Sequence, residues 1–127
     1  TLPGIVLLKL IAWDDRPESR RDDIKDISDI LNHFFDMNDN EIFENHHDLF
    51  EKEEASLKHI AARVMGREMS KIAKKNELLF SRIVGILDSN TLVSQNSDMA
   101  KIMVEYYDNT IDDNVQLLKY LRQGFTE

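Results

Sequence analysis

Apolar residues recur at three- and four-residue intervals along nearly the whole chain, which predicts helices throughout. No stretch combines β-branched alternation with turn residues at both ends, and two prolines and four glycines leave few breakers. The first segment, Ile5 to Trp13, is apolar on every side of a helical wheel and is expected to be buried all round. Asp14-Asp15-Arg16-Pro17 ends it, because proline disfavours helix in the residue before it. A second helix begins near Arg21 or Asp22, with carboxylates in its first turn and a stripe of Ile24, Ile27, Ile30, Leu31, Phe34 and Phe35. Met37-Asn38-Asp39-Asn40 reads as a turn, followed by a helix from Glu41 to about Lys52. Further helices are expected over Glu54 to Lys75, Glu77 to Leu87, Asp98 to Tyr107 and Ile111 to Arg122, the last stopping at Gly124. Asp88 to Ser97, rich in Ser and Asn, reads as a loop. The expected fold is all-α, an irregular bundle of about six or seven helices.

Lys9 changes this picture, because it stands in the most apolar stretch of the chain. A buried, unpaired ammonium costs several kcal/mol, so the side chain must reach water, meet an anion or serve chemistry. The second helix supplies anions at the right place. On a wheel of about 100° per residue, Asp23 falls inside the apolar stripe and Asp26 flanks it, while Asp22 and Asp29 point more toward solvent. Helices joined by a short turn usually pack together, so an ion pair of Lys9 with Asp23 or Asp26 is the plainest expectation. Arg16, Arg20 and Arg21 stand in the connection beside these groups. Guanidinium groups at a helix entrance suit phosphate, so lysine, carboxylate and arginine together also fit a nucleoside triphosphate and its Mg²⁺.

The chain has 127 residues, one domain's worth, with 42% hydrophobic and 31% charged positions. It lacks cysteine, which excludes disulfides and thiolate metal sites and fits a cytoplasmic location. Its longest apolar run is too short to span a bilayer, so no membrane partner is expected. The opening Thr1-Leu2-Pro3-Gly4 has neither a starting methionine nor a basic signal segment, and the chain reads as a piece of a longer protein. A net charge of −8 argues against general coating of nucleic acid. The charge is uneven, however. Asp14 to Glu54 holds five basic against fifteen acidic residues, and Ala55 to Gly85 holds seven against two.

The stretch LPGIVLLKLIAWDDRPESRRDDIKDISDIL resembles the segment after the catalytic core in bacterial nucleotidyltransferases of the abortive-infection, type IV toxin class, the AbiEii-like proteins. The shared pattern is a lysine in an apolar helix, an arginine some residues on, then a basic residue and Asp-x-x-Asp leading into a hydrophobic helix. Here the lysine is Lys9 and the arginine Arg16, and two registers fit the carboxylates, Asp23 with Asp26 or Asp26 with Asp29. The resemblance covers about the first 35 residues. It implies that Lys9, Asp23 and Asp26 serve catalysis and that Lys9, Arg16 and Arg20 hold the triphosphate. The Gly-Ser and Asp-x-Asp of the family's β-sheet core are absent, since none of the four glycines precedes a serine. Residues 1–127 would then be the helical C-terminal part of the enzyme, inactive alone. The missing N-terminal core would supply the Mg²⁺ ligands, and an RNA acceptor and an antitoxin would be further partners. A first helix built to pack on that absent core would leave an apolar patch through which the fragment forms a homodimer.

Two readings stand beside this one. In the first, the chain is a non-enzymatic helical interaction module in which Lys9 is only an ion-pair partner. In the second, Arg63, Arg67, Lys71 and Lys74, one stripe at helical spacing on a solvated face, contact RNA phosphates. His33, His46, His47 and His59 read as surface residues, and no metal ligands are assigned among them, because adjacent histidines diverge by about 100°. Met65, Met69, Met99 and Met103 read as core filler, and Tyr106, Tyr107 and Tyr120 as residues at the edge of that core.

Overall fold

The computed structural model describes residues 1–51 and 56–127, and all its regular structure is helical. In chain order the helices are α1 (Leu2–Asp15), α2 (Arg21–Asn45), α3 (Leu57–Ala73), α4 (Glu77–Ser89), α5 (Asp98–Met103) and α6 (Ile111–Thr126). Short 3-10 turns at His47–Glu51 and Ser94–Asn96 complete them. The expected ends at Lys52 and Glu54, and Ala55 beside them, lie outside the described residues.

Most helices begin where a side chain satisfies the first free amides. Thr1 accepts from the Gly4 amide, Ser56 from His59, Asn76 from Leu78 and Leu79, and Ser97 from Ala100. Thr110 and Asp113 form a reciprocal capping box at the start of α6. Each such cap is worth about 1 kcal/mol.

Several expected boundaries differ. The turn at Met37–Asn40 is a kink at Asn38 (φ −136°, ψ 24°), after which helical structure resumes to Asn45. Asn38 Nδ2 donates to the Phe34 carbonyl, and Phe43 stacks on Phe50 with ring centroids 4.3 Å apart. α5 ends at Met103 rather than Tyr107, because Glu105 and Tyr107 leave the helical path to bond α2. The loop after α4 is held by Asn90, whose amide donates to Ile86 and whose oxygen accepts from Met99.

The core runs between α1, α2, α3, α4 and α6, around Leu10, Ile27, Met65, Met69, Leu87 and Phe125. Met65, Met69, Met99 and Met103 are all buried in it. The largest interface joins α3 to α6. There a Cβ on Gly66 would stand 2.1 Å from the Leu121 carbonyl oxygen, and one on Gly124 would stand 1.9 Å from the Arg63 carbonyl oxygen. The two main chains touch. Gly124 therefore continues α6 to Thr126 and does not end it, the expected stop being overruled by helix packing.

α1 is not covered all round. Val6, Leu7, Leu10 and Trp13 are buried, but Leu8 is 70% and Ile5 40% exposed. The neighbours α2, α3 and α4 reach only part of its circumference.

Candidate functional site

The α1–α2 turn brings the sequence-marked charges together. Arg16 follows the last residue of α1, its amide bonded back to the Ala12 carbonyl, and Pro17 prevents the helix from continuing. Ser19 closes the turn through its amide to the Arg16 carbonyl, and α2 then sets off with Asp23 facing α1.

Lys9 Nζ donates to Asp26 Oδ2 at 2.7 Å and lies 3.4 Å from Asp23 Oδ1. Arg20 Nε donates to Asp23 Oδ2 at 2.7 Å, and its Nη2 to Asp23 Oδ1 at 3.2 Å. Asp23 thus sits between two cations with its side chain 7% exposed, whereas that of Asp26 is 45% exposed. The hydrogen bond to Asp26 raises the Lys9 pKa against the opposing effect of burial, and both aspartates add to the rise. Lys9 is an ammonium at neutral pH. The bond to Asp23 likewise raises the Arg20 pKa. Of the sequence-marked residues, Lys9, Asp23, Asp26 and Arg20 converge, while Arg16 is exposed and stays outside the cluster.

Asp29, the alternative member of the carboxylate pair, goes elsewhere. It accepts from Tyr107 Oη at 2.7 Å and from Lys25 Nζ at 3.2 Å. The Tyr107 bond lowers the Asp29 pKa, while burial and that bond push the Tyr107 hydroxyl up to about 12. Arg21 pairs with Glu105 at 2.5 Å. These contacts tie α2 to the segment after α5. The sequence places Tyr107 at the edge of the core but shows neither its partner Asp29 nor the Arg21–Glu105 pair.

The two carboxylates facing Lys9 are already matched by an ammonium and a guanidinium, so the donor set does not fit a Mg²⁺ ion. Among the described residues no group of three or more His, Asp or Glu side chains is placed to hold a metal.

The basic stripe on α3 is solvated only in part, since Lys71 and Lys74 are exposed while Arg63 and Arg67 are largely covered. Arg67 Nε and Nη2 donate to the Glu127 carboxylate at 2.8 and 3.0 Å, and its Nη1 and Nη2 donate to Asp48 at 3.2 and 2.9 Å. Arg63 also bonds Glu127, Lys74 reaches the Glu127 main-chain oxygen, and Lys71 pairs with Glu68. The side chains of Arg63 and Arg67 are only 13% and 21% exposed. The cause is the glycine contact, which draws the end of α6 close enough for Glu127 to reach α3.

Two histidines also depart from the surface expectation. His46 is buried between Arg67 and Glu68, and His59 stacks on Tyr120 with centroids 4.5 Å apart. Burial, with Lys58 nearby, lowers the His59 pKa. Local spacing carried no signal for either contact, since the partners are remote in sequence.

No helix among the described residues is long and apolar enough to cross a membrane. In comparison with known proteins, no family model, no curated protein and no solved structure matches the chain.

Proposed function

We propose that this chain is the helical part of an AbiEii-like nucleotidyltransferase and contributes the triphosphate-holding cation to an active site completed by an upstream core. The observation that carries the reading is the convergence of Lys9, Asp23 and Asp26, which follow one another in the family-like stretch, on a single ion-pair cluster. Its geometry divides the labour. Asp23, buried and braced by Arg20, positions the ammonium. Asp26, nearly half exposed, is the partner that swings aside when phosphate oxygens take its place. Arg16 and Arg20 stand at the same turn, where a triphosphate extending from Lys9 would meet them. The open flank of α1, with Leu8 and Ile5, gives the upstream core a surface to seat on beside that lysine.

A second reading is favoured by one observation. Both carboxylates near Lys9 are already bonded, as in a helical interaction module where the cluster only joins α1 to α2.

The test is nucleotidyl transfer by the full-length parent protein, with radiolabelled nucleoside triphosphates and total RNA, for wild type, Lys9→Ala and Asp26→Asn. The enzyme reading expects Lys9→Ala to abolish transfer with helicity retained, and Asp26→Asn to leave the protein folded with altered transfer. Undiminished transfer in Lys9→Ala would make the lysine a structural partner. A wild type inactive with every nucleotide would leave the module reading in place.

A further inference from the structure

Arg63, Arg67, Ser70 and Lys74 recur at helical spacing and share one face of α3. A cavity of about 420 Å³ elsewhere opens between α1 and the kink of α2, but the α3 face borders a smaller one of more pronounced chemistry. That cavity, about 290 Å³, is lined by His46, Arg67, Ser70, Lys71, Lys74 and Glu127, with Gly124 at its wall. Among the lining residues, Glu127 bonds Arg63 and Arg67 through its carboxylate and Lys74 through its main-chain oxygen. Two acidic groups outside the lining pair with its residues, Asp48 with Arg67 and Glu68 with Lys71 and His46.

One donor in the cavity lining remains unused, and a second stands outside the lining on Arg63, which bonds Glu127. Ser70 Oγ, in a residue 4% exposed, and Arg63 Nε are both buried without a hydrogen-bond partner among the described residues. A buried donor left unpaired costs about 1–3 kcal/mol, so a carboxylate is an incomplete occupant. A phosphate monoester group offers three acceptor oxygens and nearly two charges, where a carboxylate offers two oxygens and one.

We propose that this pocket is a binding site for a phosphate monoester group and that Glu127 is its internal stand-in, displaced when phosphate enters. The arginine forks then bind phosphate oxygens, Lys74 supplies a further charge, and the Ser70 hydroxyl gains the acceptor it lacks. The proposal is independent of the nucleotidyltransferase reading, because it uses none of Lys9, Arg16, Asp23 or Asp26.

The test is titration of inorganic phosphate into the chain, followed by the amide resonances of Ser70 and Glu127 at constant ionic strength, with chloride as the control. Saturable shifts are expected in the wild type. Glu127→Gln should tighten binding about tenfold by removing the competing charge, and Ser70→Ala should weaken it several-fold with the ion pairs intact. Uridine 5′-monophosphate, and an oligoribonucleotide with and without a 5′-phosphate, then distinguish a free nucleotide from an RNA end as the source. Folded wild type and folded Glu127→Gln that both show no saturable response to phosphate would overturn the proposal. So would binding unchanged in both Ser70→Ala and Lys74→Ala.

Discussion

α1 and α6 have nearly equal lengths and opposite relations to the rest of the fold. α6 is amphipathic, and its apolar side, with Leu117, Leu118, Leu121 and Phe125, is buried against α3 and its neighbours. α1 is apolar on all sides, yet only the side with Val6, Leu7, Leu10 and Trp13 is covered. The difference is one of supply. An amphipathic helix asks for as much partner surface as a single face needs, whereas an all-apolar helix asks for more than α2, α3 and α4 provide. Leu8 is the part of that request left unmet.

The comparison breaks most sharply at the glycine seam. Gly124→Ala places a methyl 1.9 Å from a main-chain oxygen that no rotamer change can move, and should cost at least about 3 kcal/mol in urea unfolding followed by Trp13 fluorescence. A cost below about 1 kcal/mol would show that the helices separate easily. Within α1, Leu10→Ala should cost roughly 2–3 kcal/mol and Leu8→Ala less than about 0.5 kcal/mol, since the first is fully buried and the second mostly exposed. Equal losses would mean that Leu8 is covered in solution, by a second copy for instance.

Acid separates the two helices differently. The hydrogen bonds from Arg67 and then Arg63 hold the Glu127 carboxyl at about 2 against its ordinary 4.5, and Arg67 likewise depresses Asp48. A depressed carboxyl stabilises the fold above its ordinary value, and that contribution fades as pH falls from 4.5 toward 2. We expect about 1–2 kcal/mol to be lost over that window, after allowance for solvent screening. Glu127→Gln should remove most of this dependence, as read from urea midpoints at each pH. The smallest effect is a gain. Gly85 is exposed on α4, and a Cβ added there would meet nothing within 4 Å. Its substitution to Ala should yield about 0.5–1 kcal/mol, seen as a raised urea midpoint.

What the sequence made legible was local. Periodicity placed the helices, and the wheel put Asp23 inside the apolar stripe with Asp26 beside it, which is how they meet Lys9. What it concealed depended on contacts across the chain. Gly124 looks like a helix stop by every local rule, and only its pairing with the distant Gly66 shows it to be a point of helix contact. Arg63 and Arg67 look solvated until α6 brings Glu127 over them, and His46 looks exposed until Arg67 and Glu68 close on either side. Coverage of α1 is concealed for the same reason, since a wheel records apolarity and not the number of available neighbours.

The glycine seam has a mechanical consequence. Where side chains separate two helices, a change of rotamer lets one slide or tilt against the other. Where carbonyl oxygens and amides meet directly, as at Gly66 and Gly124, that play is gone, and α3 with α6 moves as one strut. A pull on Glu127 must then be absorbed in Thr126 and Glu127, which lie beyond the seam. The seam fixes the end of α6 against α3.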